Sequence, residues 1–194
     1  MATNEVTETQ MANAREFTKS LSTIGFDMDG VFWAYDKEDE RQVLLVVTDF
    51  FDVKGPLEIY RQIFKAYNAS LTPKEIDPSS VRFLSRYHTL VNDIMDSMLS
   101  NLMKKDYKKE IFANMLGGPL TAKDMKFISN TFEDYNGPEV TIPPEGVVMV
   151  KPRHKIPEYT EIIKNWELFK SKLNNLTAET EQYKEDLPPD LKGG

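Results

Sequence analysis

Two aspartates two residues apart, with a glycine directly after them, stand in the segment Ile24-Gly25-Phe26-Asp27-Met28-Asp29-Gly30-Val31. On an extended chain, side chains two apart point to the same side, so carboxylates at this spacing can share one cation and one phosphate. A third acid comes within reach if the following hairpin is centred between Glu38 and Asp39, because Asp29 then falls opposite Thr48 and beside Asp49. Asp27, Asp29 and Asp49 would form an all-oxygen site for a hard cation at one sheet end. The plainer reading of the same residues is a polar turn leading into the hairpin, with Gly30 supplying backbone freedom.

The run Asp27-Met28-Asp29-Gly30-Val31 resembles the first signature of the haloacid dehalogenase superfamily, an Asp-x-Asp-Gly-(Thr/Val) element at the end of a strand. The resemblance implies a phosphohydrolase in which Asp27 attacks phosphorus, Asp29 donates a proton to the leaving group and Mg2+ shields the phosphate. It also implies that Asp27 ends a central parallel strand and that two further acids face it. Val47-Thr48 superficially matches the second signature, yet it follows Asp27 too closely for a crossover unit between parallel strands. Downstream, Glu133-Asp134 follows Asn130-Thr131-Phe132 without the apolar strand that would present an acidic pair.

Other chemistry-bearing residues are scattered. Arg82, Arg86 and His88 lie on a predicted strand and its following loop, where they could bind an anion; no serine nearby has a nucleophile-elbow pattern. Lys104, Lys105, Lys108 and Lys109 surround a single aromatic, Tyr107, and read as a solvated helix end. The terminal Lys192-Gly193-Gly194 resembles the conjugation tail of ubiquitin-like modifiers over two glycines only, and a flexible end is the simpler reading.

Composition narrows the classes. There is no cysteine, so disulfides, thiolate nucleophiles and sulfur-ligated metals are excluded, and His88 and His154 are the sole imidazoles. With 24 Lys plus Arg against 31 Asp plus Glu the net charge is -7, which argues against phosphate-backbone binding and so against a nucleic-acid partner. No apolar run approaches the roughly 18 residues that cross a bilayer, so no membrane partner is expected. Met1 to Gln10 lacks a basic and apolar leader, and the expected location is the cytoplasm.

The elements that must position these residues follow from periodicity. Met11, Ala14, Phe17, Thr18 and Leu21 share one face of a helix over 8–21. Val31 to Tyr35 and Val43 to Thr48, joined by a short charged link, form an antiparallel hairpin whose second strand is apolar on both faces and therefore central. After the break at Gly55-Pro56, Leu57, Tyr60, Ile63, Phe64 and Tyr67 repeat at helical spacing. Thr72-Pro73-Lys74-Glu75 has the form of a capping box with proline at the first helical position, opening a one-turn helix. Strands are expected at 81–84 and 147–150, with 138–144 irregular between Pro138 and Pro144. Leu90, Ile94, Met98 and Leu102 predict a helix over 89–103, and further helical stretches are expected at 107–116 and 121–128. From Pro157 a long amphipathic helix carries Tyr159, Ile163, Trp166, Phe169 and Leu173, ahead of a mobile tail at 187–194.

These elements predict an α+β fold: a small, mainly antiparallel sheet around the hairpin, covered by helices, with a long C-terminal helix. The expected division is a globular domain at 1–155 and a helical appendage with its tail at 156–194. With no complete catalytic constellation, the leading expectation is a non-enzymatic, soluble accessory or interaction protein that needs no cofactor. It would bind another protein through Tyr159, Ile163, Trp166, Phe169 and Leu173. The alternative is the Mg2+-dependent phosphohydrolase using Asp27 and Asp29, with Asp49 as a further metal ligand.

Overall fold

The computed structural model describes residues 5–104, 135–151 and 157–186. Helix α1 (Glu8–Thr23) opens on a reciprocal cap: the Gln10 amide donates to the Thr7 hydroxyl at 3.2 Å, and the Gln10 side chain accepts from the Thr7 amide at 2.9 Å. The stripe Met11, Ala14, Phe17, Thr18 and Leu21 is buried, as its spacing predicts. The indole of Trp33 reaches back to the Gln10 carbonyl at 3.1 Å and ties this helix to the sheet.

Strands β1 (Gly30–Asp36) and β2 (Arg41–Val47) form the expected hairpin, paired from Gly30 with Val47 to Asp36 with Arg41. That register sets Asp29 opposite Thr48. Because side chains alternate across a strand, Val31, Trp33, Leu44 and Val46 enter one core while Phe32, Ala34, Val43, Leu45 and Val47 enter another. Two-sided burial explains why β2 reads as a continuous apolar run.

Helix α2 (Phe50–Asn68) begins earlier than its periodicity suggests, and Gly55-Pro56 is a kink within it. Gly55 has φ +74°, a conformation glycine adopts without steric cost, and Pro56 restarts the second helical piece. Ile59, Ile63 and Ala66 face the core, whereas Leu57 and Phe64 do not. Residues 72–75 do not open a helix: Asp77-Pro78 follows at once, holding Asp77 extended, and the chain makes a 3-10 turn at Pro78–Ser80 capped by the Asp77 carboxylate on the Ser79 amide at 2.7 Å.

Strand β3 (Val81–Leu84) then pairs in parallel with β2. The sheet is thus mixed rather than simply antiparallel, since a strand returned by a helical crossover lies parallel to its neighbour. Tyr60 of α2 donates to the Val81 carbonyl at 2.6 Å, and burial pushes its phenol up, keeping it a neutral donor.

Helix α3 (Thr89–Lys104) covers the second face with Leu90, Val91, Ile94 and Met98. Strands β4 (Tyr135–Asn136), β5 (Val140–Ile142) and β6 (Val147–Val150) complete the sheet among the described residues, in the order β3-β2-β1-β5-β4 with β6 also on β1. The segment expected to be irregular therefore holds β5, which pairs at Tyr35 and Asp36, while β6 takes the other end of the same β1 edge at Gly30 to Phe32. Between them, at the 3-10 turn Pro144–Gly146, a Cβ on Gly146 would lie 2.6 Å from the Trp33 carbonyl oxygen. Only backbone movement could relieve that contact, so Gly146→Ala should lower stability by about 1–3 kcal/mol. Urea unfolding checks this; an unchanged midpoint would contradict the packing.

Helix α4 (Tyr159–Asp186) buries Trp166, Phe169 and Leu173 completely in the core shared by α1, α2 and the sheet. Helix α4 is thus part of that core, sharing it with elements that precede residue 155. The helical stretches at 107–116 and 121–128, the basic run from Lys105 onward and the terminal Gly193-Gly194 lie outside the described residues. Among the described residues no helix is long and apolar enough to cross a membrane.

Candidate functional site

The sequence-predicted acids meet where β1 begins and β2, β3 and β6 end. Asp29 is held by its backbone between two strands: its amide donates to Val47 at 2.8 Å and its carbonyl accepts from Lys151 at 2.7 Å. Thr48 fixes the preceding turn by donating to the Asp27 carbonyl at 2.7 Å, and its hydroxyl accepts from the Phe50 amide at 3.2 Å. The Asp27 carboxylate pairs with Lys151 at 2.8 Å, and buried Asp49 lies 3.7 Å from Arg86. Asp29 is buried as well.

This arrangement differs from both metal readings. Among the described residues no group of three or more His, Asp or Glu side chains is placed to hold a metal, so Asp27, Asp29 and Asp49 share a region without forming a common ligand set. Moreover, Asp27 and Asp29 precede β1, at its N-terminal end, and the neighbours of β1 run antiparallel to it. A nucleophile of the haloacid dehalogenase kind needs the C-terminal end of a strand with parallel neighbours. The acids instead tie three strand ends together.

Of the basic residues, Arg82 is committed at the opposite sheet end. It pairs with Asp36, whose other carboxylate oxygen accepts from the Glu38 and Asp39 amides at 2.9 and 3.0 Å. Burial alone would raise the Asp36 pKa, but the two turn amides and the Arg82 guanidinium outweigh it and hold the carboxyl below its ordinary value. His88 caps α3, its Nδ1 accepting from the Leu90 amide at 3.2 Å. Arg86 lines a cleft of about 330 Å³ together with Lys151, a residue that nothing in its local sequence marks out.

The predicted partner stripe divides in two. Trp166, Phe169 and Leu173 are each 0% exposed, so they face the chain's own core and not a partner; Ile163 is half-buried and Tyr159 is exposed. The periodicity identified an apolar face correctly but could not say what covers it. Two members of the α2 period point outward instead: Leu57 and Phe64 are 74% and 40% exposed. Alongside them α2 and α4 run together, joined by Lys54 to Glu167 at 3.4 Å and Lys65 to Asn174 at 2.7 Å. Past the second link a groove of about 440 Å³ opens between Phe64, Arg61 and Asn68 on one side and Thr177, Thr180 and Glu181 on the other.

Compared with known proteins, the chain matches no family model, no curated sequence and no solved structure.

Proposed function

We propose that this chain is a non-enzymatic interaction protein that binds another protein through the outer faces of α2 and α4. The observation that carries the reading is the pairing of Leu57 and Phe64 on one outward face of α2, with Phe64 lining the groove to α4. Singly exposed apolar side chains are ordinary; two on one helix face, seven residues apart and beside a groove, have the form of a surface that receives a partner's amphipathic helix. Arg61 and Glu181 at the groove supply a mixed-charge rim suited to orienting such a segment. The engagement of Asp27, Asp49 and Asp36 with Lys151, Arg86 and Arg82 supports the same reading, since each pair fastens one part of the fold to another. A cysteine-free chain is suited to work in the cytoplasm.

The double variant Leu57→Asp, Phe64→Asp tests this. Side-by-side capture with the parent chain should recover a discrete partner with the parent and at least about tenfold less with the variant, the loss of roughly 1.4 kcal/mol of binding. Both chains should unfold at similar temperatures, because neither side chain is in the core. Equal recovery by the two chains would remove α2 from the interface.

A further inference from the structure

Beyond the kink at Gly55-Pro56, the exposed residues of α2 include Leu57, Arg61, Phe64 and Asn68, which share one side of the helix at spacings of four, three and four. Leu57 and Phe64 stand two turns apart, about 10 Å along the axis. Between them lie Glu58 and Arg61, joined by an ion pair at 2.6 Å, with side chains 26% and 67% exposed. Along the helix the order is apolar, acidic, basic, apolar.

That order is complementary to its own reversal. Where a second α2 runs antiparallel about a two-fold axis midway between Leu57 and Phe64, each Leu57 faces Phe64 of the other copy, and each Glu58 lies less than one helical turn from Arg61 of the other copy. A parallel copy would instead set Glu58 on Glu58 and Arg61 on Arg61, like charge on like. The Glu58 and Arg61 pair is neutral as a unit, so it orients a neighbour without calling for a charged ligand, and the apolar ends supply the contact. A two-fold interface needs this property, one patch that complements itself.

We propose that this face docks a second copy of the chain, with α2 antiparallel to α2 and each Arg61 lying between its own Glu58 and that of the other copy. The proposal rests on the reading of α2 as a protein-binding surface and names the protein it binds. Two apolar side chains from each copy make a contact at the low end of interface size, so the dimer is weak and depends on concentration.

Sedimentation equilibrium of the purified intact chain should give a monomer and dimer in exchange, with a dissociation constant of roughly 10–100 μM. The double variant Leu57→Asp, Phe64→Asp should weaken association at least tenfold. Glu58→Arg and Arg61→Glu, each of which sets like charges across the axis, should each weaken it severalfold, and a chain carrying both should recover the parental association. Because the chain has no cysteine, introduced thiols report the register. On mild oxidation, Leu57→Cys chains mixed with Phe64→Cys chains should form an interchain disulfide, whereas either alone should not, its two thiols standing about 10 Å apart along the axis. A chain that stays monomeric up to about 1 mM overturns the proposal. If that monomer still captures a different protein through Leu57 and Phe64, only the second copy is lost; if it captures none, the reading of α2 falls too. A dimer unaffected by Leu57→Asp, Phe64→Asp, or disulfides as abundant from either chain alone as from the mixture, overturns the proposal as well.

Discussion

Trp166→Ala is expected to cost about 3–5 kcal/mol of stability, the range for deleting a large, fully buried aromatic. The indole packs edge-on against Phe50 at 5.1 Å and lies 5.3 Å from Phe169; Phe26 in turn meets Phe50 at 5.3 Å, Phe169 at 5.2 Å and Phe83 at 5.8 Å. These rings join α4, the start of α2, the turn before β1 and strand β3 into one aromatic cluster. Removing its fully buried corner leaves a cavity and also forfeits edge-to-face contacts worth about 0.5–1.5 kcal/mol per pair beyond area burial. Since small domains are stable by about 5–15 kcal/mol in total, the variant should unfold at much lower denaturant. Urea unfolding followed by circular dichroism measures this, with exposed Leu168→Ala as a control expected within about 0.5 kcal/mol of the parent. A loss below about 1 kcal/mol for Trp166→Ala would mean that α4 is an appendage and not part of the core.

Asp36→Asn is expected to cost about 2 kcal/mol at neutral pH, mostly from the charged hydrogen bond to Arg82, since the asparagine oxygen can still accept from the Glu38 and Asp39 amides. The cost should depend on pH with a defined sign. Asp36 has a folded-state pKa below the ordinary 3.8, so its contribution is fully present above that value and is lost as pH falls through the folded pKa. Urea midpoints of parent and variant should therefore differ at pH 7 and converge below about pH 4. A gap of constant size down to pH 2 would show that the variant disturbs packing at the hairpin turn instead of removing an ion pair.

Much of the fold is legible in local pattern. The hairpin follows from β-branched and aromatic runs around a charged link, and its centring between Glu38 and Asp39 is the observed register. The stripe of α1 enters the core as spaced, as do Leu90, Ile94 and Met98 of α3. What local pattern could not supply came from tertiary pairing. Strand β5 has three residues between prolines, and it is a strand only because Tyr35 and Asp36 of β1 offer it a ladder. The capping box at Thr72 had the right residue types but too little chain before Pro78 to form a helix.

The functional residues were less legible for a related reason. An amphipathic period identifies an apolar face without identifying its cover, so the stripe of Trp166, Phe169 and Leu173 suits core and partner surface alike, and the period through Leu57 and Phe64 does not show that both point outward. Spacing likewise put Asp27 and Asp29 on one side of an extended chain, but it carries no information on what pairs with them. The ion pair that engages Asp27 comes from Lys151, 124 residues away. No local signal announces such a contact, nor the cleft that Lys151 and Arg86 line.

The central claim is that the outer face of α2 beside α4 receives another protein, and site-specific photo-crosslinking tests it most directly. A benzophenone amino acid at Phe64, compared with one at exposed Asp96 on α3, should give a discrete higher-mass protein adduct on irradiation in cells expressing the intact chain, and no such adduct from position 96. Equal labelling from both positions, or none from Phe64 in a folded chain, would contradict the account.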